Sequence, residues 1–372
     1  MNCIIESKSK IPAYIQLYNQ IKKAIVQGVY AFGSKLPSKR IMAAEAGVST
    51  ITIEHAYALL CEEGYVEARQ RSGFFIIFRP SDGFSSSLEK PVSYQTPHSP
   101  HSAHHSLFEF PFSVLTKTMR RVMNDYGIRI LDKSPNPGCS ELREAIRQYL
   151  ARNRRIYVDF NQIVVGSGAE YLYGLIVGVL GREKIFALES PSYEKIEQVY
   201  KAEGVTYEFL PLGSDGIENA ALAKTKANVL HISPYRSFPT GITASASKKY
   251  EYIHWAQQPD RFLIEDDFES EFSVSSKPEE TLFSLSEADN VIYLNTFSKT
   301  ISPSLRVGYM VLPKRLIKQF SEKLGFYSCT VPTFEQFVLA ELISCGDFER
   351  HIHRVRRAKR KKLLSEKQSC EC

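Results

Sequence analysis

The sequence lacks a long apolar run. The longest candidate, YLYGLIVGVLG from Tyr171 to Gly181, has the length of a buried core helix and falls short of the roughly 18 residues that a membrane span needs. The first ten residues, MNCIIESKSK, contain neither an apolar segment nor a small-residue cleavage site, so no secretory signal is expected. We therefore expect no membrane partner and a cytoplasmic location.

The cysteines do not have the spacing of a disulfide or metal-binding framework, and the net charge of the chain is modest. The seven cysteines have neither metal-ligand spacing nor the pattern of a disulfide-rich domain. We interpret them as reduced thiols and expect no metal site. The formal net charge of +6 at pH 7 permits a polyanionic partner without requiring one, so the position of the charges matters more than their sum.

Length and composition indicate more than one domain. A chain of 372 residues with 43% hydrophobic content can bury a large core, and we expect about two or three domains. Residues 79–107 are rich in proline, serine and histidine and poor in apolar side chains, which predicts a flexible linker. The predicted domains are therefore residues 1–78 and 108–372.

The first domain has the pattern of a helix-turn-helix followed by a hairpin. Apolar residues recur every three or four positions over residues 12–30, which predicts a first helix. In LPSKRIMAAEAGVSTITIEHAYALLCEEGY, Ser38 can cap a second helix and Ser49 a third, with a tight turn between them. The following VEARQRSGFFIIF indicates two short strands with a basic tip, which is typical of a wing.

The same region offers side chains for duplex DNA. Thr50, Thr52 and His55 lie mainly on the outward face of the third helix and can reach base edges. Basic side chains can neutralise phosphates without specifying sequence. The predicted phosphate contacts are Lys39, Arg40, Arg69 and Arg71. The remaining candidates, at the helix starts and in the hairpin, are Ser38, Ser49 and Gly73. The alternative is a small helical domain with solvated charges.

These motifs resemble the GntR-type winged helix-turn-helix. The resemblance covers residues 1–77 and runs through PAYIQLYNQIKKAI, LPSKR, GVSTITIEHAYALLCEEGY and the hairpin. It implies binding to double-stranded DNA. Thr50 stands where family members commonly have arginine, so a bidentate contact to guanine is not expected, and the operator sequence stays open.

Beyond residue 108, strand-like segments alternate with helix-like ones, which predicts a large α/β sheet. The strand-like segments are QIVVG, KIFALES, VTYEFLPL, NVLHISP, RFLIEDD, NVIYLNTFSK and RVGYMVLP. Open α/β sheets bind ligands at the carboxyl ends of their strands. Chemically capable residues that follow these segments are therefore the candidates for a site.

Lys299 follows one of these segments, where an aldehyde cofactor can be held as a Schiff base. A single lysine is ordinarily a surface residue, so the interpretation depends on its companions. Asp266 ends another strand and offers the carboxylate that a pyridinium nitrogen needs. Ser167 to Glu170 predict a capping box at the start of a helix that suits a phosphate, and Arg306 can clamp a phosphate bidentately.

In their order along the chain, GSGAE, ESPSY, SPYRSFPTG, EDDFESEF and TFSKTISPSLRVGY resemble the fold-type I aminotransferase domain of MocR-type regulators, of which the GABA-responsive regulator is the best-known kind. The resemblance spans residues 108–365 and implies pyridoxal 5'-phosphate as cofactor. It implies Lys299 as the catalytic lysine that holds the cofactor, Asp266 at the pyridine nitrogen and Tyr193 near the ring face. The implied phosphate ligands are Arg306, Ser167, Gly168, Ala169, Thr296 and Ser298.

Three positions depart from the family pattern. Phe268 stands where a tyrosine hydroxyl usually donates to the phenolic oxygen of the cofactor, and losing such a charge-assisted hydrogen bond costs about 1.5–3 kcal/mol. Arg236 and Ser237 stand where relatives often have histidine and glutamine, which alters the substrate side of the site. We therefore expect a lower cofactor affinity.

The chain ends shortly after a basic helix at residues 350–364. In the family, such a helix leads into a small C-terminal domain that supplies an arginine for the substrate carboxylate. We expect that domain to be lacking and transamination to be inefficient. The solvated face of the helix is predicted to carry Arg354, Arg356, Arg357, Lys359 and Arg360.

Three functions are consistent with these motifs. The favoured one is a homodimeric, pyridoxal-phosphate-dependent transcription regulator that senses an amino-acid-like or vitamin-B6-related effector. The second is a plain aminotransferase, which has no use for a wing. The third is a DNA-binding protein whose aminotransferase-like domain no longer holds cofactor and serves only for dimerisation.

Overall fold

The computed structural model describes residues 5–6, 9, 11–79, 109–275 and 279–370, with backbone alone for 366–370. The chain divides into two compact units, Met1–His101 and Ser102–Cys372. The linker predicted at residues 79–107 lies outside the described residues apart from Arg79. Among the described helices, none combines the length and the apolar character that a membrane crossing needs.

The first unit contains three helices and a hairpin, because its apolar residues recur first with the helical and then with the strand period. Its elements are α1 (Ala13–Val26), α2 (Lys39–Ala46), α3 (Thr50–Glu62), β1 (Val66–Arg69) and β2 (Gly73–Ile76). The two strands pair antiparallel, with Val66 opposite Ile76. The core between the helices and the hairpin includes Leu17, Ile21, Ile53, Tyr57 and Leu60.

Two serines start the second and third helices. Ser38 Oγ accepts a hydrogen bond from the N–H of Ile41 (3.3 Å), and Ser49 Oγ accepts one from the N–H of Thr52 (3.2 Å). Each bond satisfies one of the free N–H groups at a helix start. Gly47 ends α2 with a φ of 65°, a left-handed conformation that turns the chain directly into α3. The predicted helix-turn-helix and its two caps are thus confirmed.

The second unit is built on an eight-stranded sheet. Its strands are β3 (Ile163–Gly166), β4 (Ile185–Ser190), β5 (Thr206–Gly213), β6 (Gly216–Ile217), β7 (Val229–Ile232), β8 (Phe262–Asp266), β9 (Val291–Thr296) and β10 (Gly308–Val311). Their order across the sheet is β3-β10-β9-β8-β7-β4-β5-β6. Strands β4, β5, β7, β8 and β9 are parallel, whereas β10 is antiparallel to both neighbours. The seven predicted strands are confirmed, and the two-residue β6 is the addition.

Helices cover both faces of this sheet. They are α4 (Phe112–Tyr126), α5 (Ser140–Arg154), α6 (Ala169–Leu180), α7 (Glu194–Ala202), α8 (Asn219–Lys224), α9 (Ala246–Ala256), α10 (Leu282–Leu285), α11 (Lys314–Leu324), α12 (Thr333–Ser344) and α13 (Asp347–Cys370). Successive strand residues face opposite sides. Val164 therefore packs with α6, α7 and α11, while Val165 packs with α5, α12 and α13. The other half of that second face is covered by α8, α9 and α10.

The basic residues of α13 are only partly solvated. Arg356 is half-buried and donates through Nε to the carbonyl of Glu271 (2.6 Å). Arg360 donates through Nε to the carbonyl of Val274 (3.0 Å), and Lys359 is half-buried. The predicted solvated face is confirmed for Arg354, Arg357 and Arg360, which are exposed. It is wrong for Arg356 and Lys359, which are half-buried.

The side-chain amide of Gln336 connects three segments of the second unit through hydrogen bonds. Its side chain is fully buried, and its Nε2 donates to Ser134 Oγ (2.7 Å) and to the carbonyl of Val331 (2.8 Å). Its Oε1 accepts from the N–H of Cys139 (2.7 Å), immediately before α5. The start of α5 and the loop before α12 are thus held by one amide group.

We expect Gln336→Leu to lower the free energy of unfolding by about 3 kcal/mol or more, because it leaves buried donors and acceptors without partners. Chemical denaturation of the full chain measures the change. The control is Gln148→Leu, whose exposed amide donates to Glu144. This variant should cost less than about 0.5 kcal/mol. Equal stability of the two variants would show that the Gln336 network does not hold the fold.

Candidate functional site

The outward face of α3 carries the residues predicted for base contacts. Thr50 and His55 are exposed, whereas Thr52 is half-buried, and its Oγ1 lies 2.9 Å from Ser49 Oγ. The sequence reasoning missed Ile51, which is 63% exposed in the first turn of the helix. Residues at this end of a recognition helix reach base edges, and an apolar side chain there can contact a thymine methyl.

Two of the predicted phosphate contacts are engaged by carboxylates. Lys39 Nζ lies 2.6 Å from Glu54 Oε1, and Arg69 Nε lies 2.9 Å from Glu67 Oε2. Both pairs are solvent-exposed, and exposed ion pairs contribute little stability. A phosphate can therefore replace either carboxylate at small cost.

The other two predicted phosphate contacts are exposed. Arg40 lies in the first turn of α2, and Arg71 occupies the tip of the hairpin with a left-handed φ of 58°. Gly73 has a φ of 113°, and a Cβ there would lie 2.7 Å from Lys35 Cε. Glycine thus allows the tip of the hairpin to turn beside Lys35.

A cavity of about 310 Å³ opens where β4, β7, β8 and β9 end. From β4 the chain continues to β5 on one side and returns to β7 on the other, so the strand order reverses between β4 and β7. Ligands bind at such switch points in open α/β sheets. Residues from or just after these strand ends line the cavity: Glu189, Ser233, Asp266, Phe268, Thr296, Ser298 and Lys299.

Asp266 is buried at one wall of this cavity and is only half satisfied. Its Oδ2 accepts from the hydroxyl of Tyr173 (2.5 Å) and lies 3.7 Å from His231 Nε2. Burial, together with the adjacent carboxylate, raises the pKa of Tyr173 well above its ordinary value, so the phenol remains a donor. Asp266 Oδ1 is buried without a hydrogen-bond partner among the described residues. This oxygen can accept from a ligand N–H.

Arg306 and the start of α6 form another wall. Gly168 is the N-cap of α6 and has no side chain to cap the first N–H groups, so the predicted capping box is wrong. Ser167 instead contacts Thr330 through their hydroxyls (2.9 Å). A Cβ on Gly168 would lie 2.9 Å from Arg306 Nη2, so glycine permits the close approach of the guanidinium. The amide groups and the guanidinium are thereby placed together for an anion.

Arg306 is already paired with Glu170. Burial favours a raised pKa for Glu170, but hydrogen bonds from Arg306 and Lys195 outweigh it and hold the pKa below its ordinary value. Glu170 therefore remains anionic at neutral pH. An anionic ligand at Arg306 has to share or displace this carboxylate.

Lys299 lies in the turn after β9, beside the ring of Phe268. Its Nζ is 4.5 Å from the ring centroid, a cation–π distance. Ser298 Oγ donates to the carbonyl of Leu305 (3.1 Å), which ties this turn to the segment before Arg306. Lys299 is exposed at the cavity and is therefore accessible to a ligand.

Glu189 is a buried carboxyl group that the sequence reasoning missed. Its Oε2 accepts from Ser237 Oγ (2.6 Å) and from the N–H of Ser233 (3.3 Å), so it ties the loop after β7 to the end of β4. Burial raises the pKa of Glu189 to about 7, because the hydrogen bonds only partly replace the lost hydration. The sequence did offer a signal for Glu189 as a site residue, because it lies near the end of a predicted strand, as Asp266 does.

The structure brings most of the predicted cofactor residues together. Those that line the cavity are Lys299, Asp266, Arg306, Ala169, Tyr193, Thr296, Ser298 and Phe268. Gly168 lies against Arg306, and Ser167 turns away toward Thr330. The lining residues that were not predicted are Glu170, Tyr173, Glu189, Ser192, Ile196, Ser233 and Phe238. Tyr173 gave no local signal, since it occurs inside an ordinary apolar helix.

The sheet and its cavity define an aminotransferase-like α/β domain of fold-type I. The kynurenine aminotransferase of Pyrococcus horikoshii has a TM-score of 0.61 and 27% identity, over 67% of this chain and 64% of that enzyme. The chain thus spans slightly less than two thirds of that enzyme's length. The family model "Aminotransferase class I and II" matches residues 119–368, and the model "Bacterial regulatory proteins, gntR family" matches residues 13–76.

Relatives join the same two domains. The uncharacterized HTH-type transcriptional regulator YdeL of Bacillus subtilis is 31% identical over 95% of this chain and 78% of its own length. The probable rhizopine catabolism regulatory protein MocR of Rhizobium meliloti is 26% identical over 97% of this chain and 78% of its own length. The protein belongs to the MocR-type transcriptional regulators, in which a DNA-binding GntR helix-turn-helix precedes an aminotransferase-like domain.

We expect Glu189→Gln to remove a pH dependence of stability. Because the pKa of Glu189 is raised to about 7 by folding, its contribution is fully present below the ordinary glutamate value and is lost as the pH rises through 7. Relative to the variant, the wild type should lose on the order of 3 kcal/mol of unfolding free energy across this window. Denaturation at a series of pH values measures the loss, with exposed Glu194→Gln as control. A pH-independent difference between wild type and Glu189→Gln would refute the assignment.

Proposed function

We propose that this regulator binds pyridoxal 5'-phosphate in the cavity of about 310 Å³ and responds to a small amino-acid-like or vitamin-B6-related effector there. The observation that carries the proposal is the buried Oδ1 of Asp266, which has no partner among the described residues. A buried acceptor without a donor is costly, and the protonated ring nitrogen of the cofactor would satisfy it.

The surrounding residues fit the same cofactor. Lys299 would hold it covalently through its aldehyde, and Tyr193 would lie near the ring. The phosphate would be bound by Arg306, the first amides of α6 at Gly168 and Ala169, and the hydroxyls of Thr296 and Ser298. Ser167, which was included from the sequence, contributes through its backbone only, because its hydroxyl contacts Thr330.

The bound cofactor supplies an electrophilic carbon that reacts with amines. This chemistry restricts the effector class to molecules with an amino group, or to forms of the cofactor itself. The rings of Tyr193 and Phe238 meet edge-on (centroids 5.8 Å apart) beside the cavity and limit the size of what enters. Phe268 provides a ring face but no hydroxyl, so one hydrogen bond to the cofactor is missing.

We further propose a homodimer that places two helix-turn-helix units on DNA. Large apolar side chains are exposed on α4 and just after it, including Phe112 (67%), Ile128 (80%) and Leu131 (79%). Covering them with a second copy would remove this surface from water. Two copies would present two DNA-binding units to paired half-sites.

We expect Lys299→Ala to abolish the visible absorbance of the full chain after incubation with pyridoxal phosphate, and to abolish trapping of the cofactor by borohydride. Lys318→Ala is the matched control, because that side chain is 87% exposed on α11 and lies away from the cavity. A borohydride-trapped cofactor in the Lys299→Ala variant would refute the assignment of this lysine.

We expect binding to a duplex of arbitrary sequence to weaken steeply with salt, because phosphate contacts release counterions. Arg40→Ala and Arg71→Ala should each reduce the slope of log K against log salt by about 1. Fluorescence anisotropy with labelled DNA at several salt concentrations measures the slope. Arg182→Ala, in the aminotransferase-like unit, should leave it unchanged. Slopes that are identical in all variants would exclude these two phosphate contacts.

A further inference from the structure

A second, smaller cavity of about 190 Å³ lies between α5 and α13. Its lining is rich in cations: the arginines Arg152, Arg154 and Arg356 lie beside His353, against the single carboxylate of Glu349. None of these residues lines the cofactor cavity. Guanidinium groups that converge on one cavity are the donors that proteins use to bind oxyanions.

Arg154 is the buried centre of this lining. Its side chain is 2% exposed, and its Nη2 lies 3.2 Å from Asp267 Oδ2 and 3.1 Å from Glu271 Oε1. Its Nε is buried and has no hydrogen-bond partner within the described part of the chain. Two carboxylates and the hydroxyl of Ser270 thus contact Nη2, and Nε is left without an acceptor among the described residues.

The other two arginines retain donors for a ligand. Arg356 uses its Nε for the carbonyl of Glu271 (2.6 Å), while burial and the charge of Arg154 lower its pKa. Arg152 donates through Nη2 to Glu349 Oε1 (2.8 Å) and is half-exposed. An added negative charge would offset the repulsion between the guanidinium groups.

We propose that this cavity is a binding site for a small oxyanion, a phosphate or a carboxylate group, held by Arg152, Arg154 and Arg356. The planar guanidinium fork matches both groups bidentately. The oxyanion would accept from the unpaired Nε of Arg154 and would balance the charge of Arg356, for which the described residues provide no carboxylate partner. The oxyanion would contact Arg154, which is paired with Asp267, the chain neighbour of Asp266. The smaller cavity is therefore a second ligand site beside the cofactor cavity.

Calorimetric titration of the full chain with inorganic phosphate, and separately with acetate, tests the proposal. Before titration the chain is incubated with pyridoxal phosphate, which would occupy the larger cavity. We expect Arg152→Gln and Arg356→Gln each to weaken binding at least about tenfold, the effect of losing a hydrogen bond to a charged group. Arg182→Gln is the matched control, because Arg182 is also paired with a glutamate (Glu203, 2.7 Å) but lies elsewhere.

The variants keep the outcome interpretable. Arg356 also bonds the backbone, so Arg152→Gln, with its half-exposed side chain, provides the test if Arg356→Gln fails to fold. Binding of phosphate but not acetate assigns a phosphate ligand, and the reverse assigns a carboxylate. Absence of binding by both anions, or binding unaffected by both Arg152→Gln and Arg356→Gln, overturns the proposal.

Discussion

The aminotransferase-like unit is organised by four buried carboxyl groups around the end of β8. They belong to Glu265, Asp266, Asp267 and Glu271. Asp267 and Glu271 share the buried guanidinium of Arg154, which α5 carries across to them. Glu265 accepts from two backbone N–H groups at the start of α10, and burial still raises its pKa to about 8. Asp266 accepts a hydrogen bond from the hydroxyl of Tyr173. Buried carboxylates without such partners are too costly to retain, so α5, α10 and the strand end are fixed relative to one another.

The same constraint separates two cavities. Side chains alternate along a strand, so Asp266 lies on the opposite side of β8 from Glu265 and Asp267. Asp266 borders the cavity of about 310 Å³, and its Oδ1 has no partner among the described residues, whereas Asp267 pairs with Arg154, which lines the smaller cavity. The two cavities are therefore linked through adjacent residues of one strand end, while their linings differ: Asp266 borders one, and three arginines line the other.

Two local predictions were wrong for the same physical reason. A capping box was expected at Ser167, but Gly168 takes the N-cap position and the serine hydroxyl meets Thr330, 163 residues away in sequence. The basic face of α13 was expected to be solvated, but Arg356 finds the carbonyl of Glu271, 85 residues away. In both cases the local sequence predicted that a polar side chain would bond to a nearby backbone group or to water. Folding instead brought a partner from a distant segment within hydrogen-bond distance.

Sequence patterns were enough to predict the helix-turn-helix with its serine caps, the seven main strands, and the positions of an acid and a lysine at strand ends. These features follow from periodicity and from residues only a few positions apart, so short-range geometry is enough to predict them. Three features became visible only in the folded chain. Tyr173 donates to one oxygen of Asp266, 93 residues away, Glu189 is a buried acid, and Arg154 lines a second cavity. Such pairs depend on how the chain crosses the sheet, and neither member shows in its own segment which partner it will meet.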